Sequence, residues 1–381
     1  MTDRERALEL LRRIEREQLY ASIVLIGETG FVRTLVLGVL RWRSRLDHAI
    51  EAFADRKINK LDSLVVDVLR IGIYQLHFTD VAQYAAVSET VDMAPKRARG
   101  LVNAILRRAT KGLPEPPDQA TRLAHPKWLL DRWIRNFGVA RAIRIAEANQ
   151  ELSYPDVLVL GGAPPPPAAE PSKLVPGIFK LHGSSADLDR ENFYPMDEGS
   201  AVVAAIAANA GSDVLDMAAA PGGKTLYMKT RGVRVTSSDV SISRLKTLIG
   251  KNSKLVVADG REPPFRGRFP VVLLDAPCSA TGTIRKNPEI KWRLREPDLK
   301  TFAKLQGELL ESALSIAETV VYSTCSLEPE ENDAVVASAR RDDIDALVPD
   351  GARAWTDRGV LRLTPESGAD GFTAFVLRGS G

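Results

Sequence analysis

Apolar positions recur at three- and four-residue spacing through the first third of the chain, as in the run LDSLVVDVLRIGIYQLHF that begins at Leu61. This spacing places the apolar side chains on one face of a helix. Because similar runs continue to about residue 110, we predict a compact helical bundle there. HPKWLLDRWIRNFG from His125 and RAIRIAEANQ from Arg141 predict two further helices that bridge the two halves of the chain.

The pattern changes after Tyr154. The stretch GGAPPPPAAEP, residues 161–171, is rich in proline and has no helical period, which predicts an extended or poorly ordered connector. From Asp213 onward, short apolar runs alternate with helical segments, as in a doubly wound, mostly parallel α/β sheet. We therefore divide the chain into a helical domain (1–115), a helical bridge with a connector (116–198) and an α/β domain (199–381).

The first strand of that α/β domain runs into a glycine turn, in DVLDMAAAPGGKT. Glycines at a strand-to-helix turn let a ligand approach the backbone, at the positive end of the helix dipole. The spacing fits neither GxGxxG nor a P-loop, which argues against a nicotinamide or ATP site. Asp239 and Asp259 end later strands, where a carboxylate can bond ribose hydroxyls or lie near an adenine, although a single such acid is more often a loop or cap residue.

The chain has two cysteines, and each follows an apolar run: Cys278 in VVLLDAPC and Cys325 in VVYSTC. Free cysteines are commonly small buried apolar residues without reactivity. Ligands of open α/β sheets, however, bind at the carboxyl ends of the strands. We therefore predict that Asp275, Cys278 and Cys325 face one crevice. Two cysteines and four scattered histidines predict neither a structural zinc site nor a catalytic metal.

Charge separates the two halves of the chain. Residues 1–150 hold 25 basic and 18 acidic side chains, a net charge of +7, whereas residues 151–381 hold 27 and 31, a net charge of −4. The basic bias is sharpest between Lys96 and Arg144, which suits a phosphate backbone, although any one of these residues could equally be a solvated surface charge.

Three motifs resemble a known family. AAAPGGKT, DAPCSATGTIRKNPEIKW and VYSTCSLEPEEN are similar to motifs I, IV and VI of the Nop/Sun family of RNA cytosine-5 methyltransferases. Residues 1–110, with FVRTLVLGVLRWRSRLD, LVVDVLRIGIYQLHF, AAVSETVDMA and GLVNAILRR in that order, resemble the NusB-like RNA-binding domain at the front of one rRNA methyltransferase group. The chain departs from the family at Ala280, where glycine is usual, at Met196, where glutamine is usual, and in its shortened middle insertion.

The resemblance implies an all-α NusB-like domain followed by a Rossmann-like class I methyltransferase domain. It also implies S-adenosylmethionine as cofactor and RNA, in particular 16S rRNA, as substrate. Cys325 would add to carbon 6 of a cytosine, Cys278 would assist release of the product, and Asp275 would bond the base. The implied cofactor contacts are Ala218, Ala219, Ala220, Pro221, Gly222, Gly223, Lys224, Asp239, Asp259 and Asp275. We also expect RNA contacts from Arg107 and Arg108, in the basic segment, and from Lys291, in the KNPEIKW run.

Three other functions remain open at this point. A tRNA cytosine-5 methyltransferase would share the catalytic half of the chain, and a DNA enzyme would use Cys278 as its nucleophile. A non-catalytic NusB-like RNA-binding or assembly factor would be expected to have lost one or both cysteines. The amino terminus has no apolar signal segment and no stretch has the length of a membrane span, so we expect a cytoplasmic monomer that binds neither DNA nor membranes.

Overall fold

A computed structural model of the chain describes residues 1–183, 188–252 and 254–380. The contacts within the chain group it into two units, Met1–Glu151 with Ile284–Leu294, and Leu152–Thr283 with Arg295–Gly381. The middle region predicted over 116–198 is therefore shared, because its residues up to 151 belong to the first unit and the rest to the second. No helix in the described part of the chain is both long enough and apolar enough to cross a bilayer.

The first unit is helical, which confirms the predicted bundle. Its helices are α1 (Asp3–Glu17), α2 (Ala21–Val24), α3 (Gly30–Ala54), α4 (Ser63–Phe78), α5 (Gln83–Met93), α6 (Arg99–Ala109), α7 (Gln119–Arg122), α8 (Lys127–Phe137) and α9 (Val139–Ala148). The last two are the helices expected from HPKWLLDRWIRNFG and RAIRIAEANQ.

Capping residues mark the starts of these helices, and contacts between their apolar faces stabilise the bundle. Thr2 and Glu5 form a capping box at α1, and the Asp62 carboxylate accepts a hydrogen bond from the amide of Leu64 at α4. Such caps satisfy amide groups that have no partner inside the helix. The apolar stripes of α1, α3, α4 and α6 meet in one core, in which Leu35 and Leu69 are fully buried.

The second unit begins with a small antiparallel sheet. Its strands are β1 (Asp156–Val159), β2 (Glu170–Pro171), β3 (Ile178–Lys180) and β4 (Phe193–Pro195), in the order β2-β3-β1-β4. The proline-rich stretch is the connection from β1 to β2, with its last two residues in β2. The short strands on either side of this predicted connector are what the sequence pattern did not predict. Strands of two to four residues are too short to show the alternation by which a strand is recognised in a sequence.

The rest of the second unit is built on a large sheet. Its elements are α10 (Glu198–Ala210), β5 (Asp213–Asp216), α11 (Gly223–Thr230), β6 (Arg234–Asp239), α12 (Ile242–Leu245), β7 (Leu255–Val257), β8 (Phe269–Asp275), α14 (Asp298–Ile316), β9 (Ala317–Thr324), β10 (Arg341–Asp342), β11 (Thr356–Asp357), β12 (Val360–Leu363) and β13 (Phe372–Arg378). The intervening α13 (Ile290–Arg293) belongs to the first unit.

The strand order of the large sheet is β11-β12-β13-β9-β8-β5-β6-β7, with β10 paired to β13. The strands β7, β6, β5, β8 and β9 are parallel, and β13 joins β9 in the antiparallel direction. This confirms the predicted doubly wound, mostly parallel sheet. The chain leaves β5 toward β6 and β7 and later returns beside β5 as β8, so the strand order switches between β5 and β8. Ligands of such sheets bind at the carboxyl end of this switch point.

Candidate active site

The glycine turn follows β5 at the switch point. The amide of Ala219 donates to the Ser238 carbonyl at 2.9 Å, which holds the turn against the end of β6. Gly222 has a φ of 114°, and a Cβ atom on it would lie 2.4 Å from Leu248 Cδ2. Only glycine fits both the backbone conformation and the space. Gly222 is buried, and Gly223 is the partly exposed glycine at the start of α11.

Asp239 ends β6 and fixes the same turn. Its carboxylate accepts hydrogen bonds from the amides of Ala220 at 3.1 Å and Ser241 at 2.9 Å. Asp259 follows β7, and the amide of Ala258 donates to the Asp239 carbonyl at 3.2 Å. The Asp259 carboxylate is bound by Arg261 at 2.6 Å, and these hydrogen bonds lower the pKa of Asp259 to about 2. Both predicted acids thus lie at one edge of the sheet.

Asp275 ends β8 and forms an ion pair with Lys224 from α11. Lys224 Nζ lies 2.5 Å from Asp275 Oδ2, and the Ser323 hydroxyl donates to Asp275 Oδ1 at 2.8 Å. Burial opposes the charge of Lys224, but the Asp275 carboxylate outweighs it and raises the Lys224 pKa. The ammonium group therefore stays charged, and it lies close enough to Cys325 to attract a thiolate there.

The two cysteines lie together. Their sulfur atoms are 3.3 Å apart, although the residues are 47 positions apart in the sequence. Both side chains are partly exposed. The hydrogen bond to Cys325, together with burial, raises the pKa of Cys278 well above its usual value. Cys278 therefore holds its proton more firmly than an ordinary cysteine.

Backbone contacts join the two loops that carry the cysteines. The amide of Gly282 donates to the Cys325 carbonyl, and the amide of Leu327 donates to the Thr281 hydroxyl, both at 2.9 Å. A Cβ atom on Gly282 would lie 2.3 Å from the Gly371 carbonyl oxygen. Glycine is therefore required for the close approach of this loop to its neighbours.

Glu331 joins the same two loops through its carboxylate and is fully buried. It accepts hydrogen bonds from the Ser279 amide at 2.7 Å, the Ser326 hydroxyl at 2.5 Å and Gln306 Nε2 at 3.1 Å, and the Ser279 hydroxyl also donates to it. Ser279 follows Cys278 directly, and Ser326 follows Cys325 directly. One buried carboxylate thus holds both cysteine loops in place.

Comparisons with known proteins identify the family to which this chain belongs. The NusB family matches residues 1–111, and the family described as 16S rRNA methyltransferase RsmB/F matches residues 203–376. Ribosomal RNA small subunit methyltransferase B of Citrobacter koseri is 30% identical over 401 residues, which cover 91% of this chain and 89% of the relative. The chain belongs to the RsmB/F methyltransferase family.

Solved structures agree with this assignment in their fold. The crystal structure of PH0851 covers 97% of this chain and 97% of its own, with a TM-score of 0.77 and 22% identity. NSun6 from Pyrococcus horikoshii covers 67% of this chain and 98% of its own, with a TM-score of 0.57 and 18% identity. The predicted family, a NusB-like domain before an S-adenosylmethionine-dependent RNA methyltransferase domain, is confirmed at this level.

The three residues of this chain that we expected to contact RNA differ in their exposure. Arg107 and Arg108 are exposed on α6. Lys291 is fully buried in the first unit, where its Nζ donates to the Arg41 carbonyl at 2.9 Å. Burial and the nearby charge of Arg41 lower the Lys291 pKa well below its usual value. The expectation that Lys291 orients a base or binds a phosphate does not fit this environment.

Two residues of the site, Glu331 and Asp216, have no role predicted from the sequence. Glu331 stands in the acidic run LEPEEN, which has the appearance of a solvated loop, and only the folded chain buries it. Asp216 ends β5 and is buried; its Oδ2 accepts from the Thr225 hydroxyl at 2.6 Å, and Oδ1 has no partner among the described residues. Burial raises the Asp216 pKa to about 6. Its position at the end of a strand was the available signal.

Proposed function

We propose that this protein transfers a methyl group from S-adenosylmethionine to carbon 5 of a cytidine in 16S rRNA, through a covalent bond between Cys325 and carbon 6. The observation that supports this most directly is the pair of thiols 3.3 Å apart beside the Asp275–Lys224 ion pair. The family supports an RNA substrate, and the names of the relatives support the small-subunit rRNA.

The residues at the switch point fit the cofactor. Gly222 makes the tight turn against Leu248, and Gly223 presents a partly exposed backbone at the start of α11. Asp239 offers a carboxylate at the adjacent strand end, as nucleoside sites of this fold require. When bound, S-adenosylmethionine supplies an electrophilic methyl group. We assign its contacts to residues 218–224, Asp239 and Asp259, with Asp275 at the boundary to the base.

Carbon 5 of cytosine is too weak a nucleophile to take a methyl group directly. The Cys325 thiolate adds to carbon 6, and the electron pair of the C5–C6 double bond becomes available at carbon 5. Lys224 favours the thiolate by its charge, and Asp275 bonds the N3 and N4 edge of the ring, where charge changes as the adduct forms. Ser323 and Lys224 hold the Asp275 carboxylate in one orientation.

Release requires transfer of the carbon-5 proton to water. The electrons of that C–H bond restore the C5–C6 double bond, while the bond between carbon 6 and the Cys325 sulfur breaks and its electron pair returns to the sulfur. Because the pKa of Cys278 is raised, this residue remains a thiol and can donate a hydrogen bond to the departing sulfur. The target base must leave its stack to reach the two sulfurs, which favours a loop or bulge over a continuous RNA duplex.

Two single substitutions test this assignment. Cys325→Ala should abolish methyl transfer and form no covalent complex, because nothing remains to add to carbon 6. Cys278→Ala should still add and methylate but fail at release, so it should accumulate as a protein–RNA adduct. A denaturing gel with labelled 16S rRNA fragments and S-adenosylmethionine separates these outcomes, and the double variant, which should form no adduct, is the matched control.

The opposite pattern, an adduct with Cys325→Ala and none with Cys278→Ala, would make Cys278 the nucleophile, as in the DNA enzymes. Full activity of both variants would remove the cysteines from the mechanism. Bisulfite sequencing of rRNA and tRNA from cells with and without the gene distinguishes the 16S assignment from a tRNA substrate. Loss of 5-methylcytidine from tRNA alone would refute the 16S assignment.

A further inference from the structure

A groove runs between α5 and α6 of the first unit, and none of the residues that line it is assigned above to the chemistry. We propose that it is a binding subsite for an unpaired base of single-stranded RNA, with Tyr84 as the stacking surface and Arg107 as the contact to the adjoining phosphate. The proposal rests on the proposed function in taking RNA as the ligand.

The groove is built from one face of each helix. From α5 it takes Tyr84, Val87, Ser88 and Val91, and from α6 it takes Gly100, Asn103 and Arg107, together with Gln83, Asp92, Arg99 and Thr110. These are spacings of three and four residues, so each set forms a continuous stripe. The groove has a volume of about 740 Å³, within the range of small-ligand sites. Gly100 leaves its wall open, since no heavy atom lies within 4 Å of an added Cβ.

Tyr84 is the feature of this groove that packing within the chain does not explain. Its ring is 80% exposed, compared with 45% for Tyr154 and 39% for Tyr20. Val87 and Val91, beneath it, are partly buried against the helical core and give the groove an apolar floor. An aromatic ring beside an apolar floor is the surface on which unpaired bases stack in RNA-binding proteins.

Charge favours RNA over an apolar peptide as the occupant. Arg99 is held at the wall, where it donates to the Asp92 carbonyl at 2.9 Å. Arg107 is exposed, and its Nε donates to Asn103 Oδ1 at 3.3 Å. Arg99 and Arg107 are the basic residues that line the groove, and Asp92 is its acidic residue. Asp92 forms an ion pair with Arg99 at 3.4 Å, which leaves the charge of Arg107 uncompensated among the lining residues. A base stacked within a duplex is not free to lie against a tyrosine ring, whereas an unpaired base of a single strand is.

Binding to a single-stranded oligoribonucleotide and to the same strand annealed to its complement tests this proposal. Tyr84→Ala should weaken single-strand binding roughly tenfold, as expected for the loss of one stacked base, with an unchanged salt dependence and unchanged duplex binding. Tyr84→Phe should bind like the wild type because it keeps the ring. Arg107→Ala should weaken binding and reduce the slope of log K against log salt by about one.

Matched controls are Tyr154→Ala, which removes another exposed tyrosine, and Arg56→Ala, which removes an exposed arginine outside the groove; both should bind single strands like the wild type. Wild-type affinity of Tyr84→Ala, equal losses on single strand and duplex, or a Tyr84→Phe variant as weak as Tyr84→Ala would each overturn the stacking subsite. Thermal melting of each variant identifies loss of folding. Because binding is measured without S-adenosylmethionine, the result stands whether or not the wild-type protein methylates the RNA.

Discussion

Substitution of Glu331 tests whether one buried carboxylate positions both cysteines. In Glu331→Ala, the Ser279 amide and the Gln306 side-chain amide lose an acceptor inside the protein, at about 1–3 kcal/mol for each unsatisfied donor. Gln306 keeps its bond to the Pro277 carbonyl at 2.8 Å, so its share of the loss is the smaller one. We therefore expect Glu331→Ala to lower the free energy of unfolding by about 3 kcal/mol.

Glu331→Gln should be much milder, for a reason visible in the contacts. Its carbonyl oxygen can replace Oε1 and keep the two N–H donors of Ser279 and Gln306. Its amide nitrogen then faces the hydroxyls of Ser279 and Ser326, which can rotate and accept. What is lost is the charge assistance, about 1 kcal/mol.

The catalytic consequence follows from the sequence neighbours of these serines. Misplacement of reacting groups by about 1 Å can cost about 100-fold in rate, and Ser279 and Ser326 adjoin Cys278 and Cys325. We expect a roughly 100-fold slower single-turnover methyl transfer in Glu331→Ala and at most about a tenfold slower rate in Glu331→Gln. The assay uses saturating RNA and S-adenosylmethionine with a labelled methyl group, and thermal melting is measured in parallel.

Glu311→Ala and Glu311→Gln are the matched controls, because Glu311 is an exposed carboxylate on α14 and its loss changes the net charge equally. A Glu331→Ala protein with wild-type rate and stability would refute the positioning role. Equal rates for the Ala and Gln variants, both far below the wild type, would assign the effect to the negative charge of Glu331 instead of to its hydrogen-bond geometry.

Two further predictions concern the strand-end acids. The folded pKa of Asp216, about 6, exceeds its ordinary value of 3.8, so the stability that this group contributes is present below pH 4 and is lost as pH rises through 6. Asp216→Asn should therefore be more stable than the wild type at pH 8, by about 3 kcal/mol for a shift of about two pKa units. This difference in the free energy of unfolding should vanish near pH 4. Denaturant unfolding at pH 4 and pH 8 measures the difference, and an equal difference at the two pH values would contradict the assignment. Asp239→Ala should weaken S-adenosylmethionine binding in calorimetry by roughly 10- to 150-fold, because it removes charge-assisted bonds worth about 1.5–3 kcal/mol; Asp213→Ala, at the opposite end of β5, is the control, and an unchanged Kd for Asp239→Ala would refute the role.

Short-range patterns in the sequence were sufficient to predict most helices, the strands of the large sheet and the residues at the ends of those strands. Helical periodicity predicts the bundle, and apolar runs predict β8 and β9, so the sequence alone places Asp275, Cys278 and Cys325 at one edge of the sheet. The same reasoning failed for residues 152–198, where strands of two to four residues leave no period. It also failed for Lys291, because a lysine in a polar run is normally solvated, and nothing local predicts its burial against the Arg41 carbonyl.

Ala280, where the family usually has glycine, is a departure whose structural reason the sequence alone does not give. Ala280 has a φ of 59°, in the left-handed region where a side chain costs about 1 kcal/mol or more. The family's usual glycine at this position therefore has a conformational reason, which the sequence records as a difference but cannot explain. The amide of Thr283 donates to the Ala280 carbonyl at 2.9 Å, so the loop keeps its turn despite the substitution.

The difference between the two thiols also lies beyond the sequence pattern, because both cysteines follow an apolar strand and the edge rule treats them alike. What separates them is the surroundings of each loop. Asp275, three residues before Cys278, forms an ion pair with Lys224, and the charge of that lysine lies close enough to attract a Cys325 thiolate. Cys278 instead has its proton stabilised by the neighbouring sulfur and by burial. The same short distance that lets the two sulfurs cooperate also stabilises the proton of Cys278, as a mechanism with one nucleophile and one releasing thiol requires.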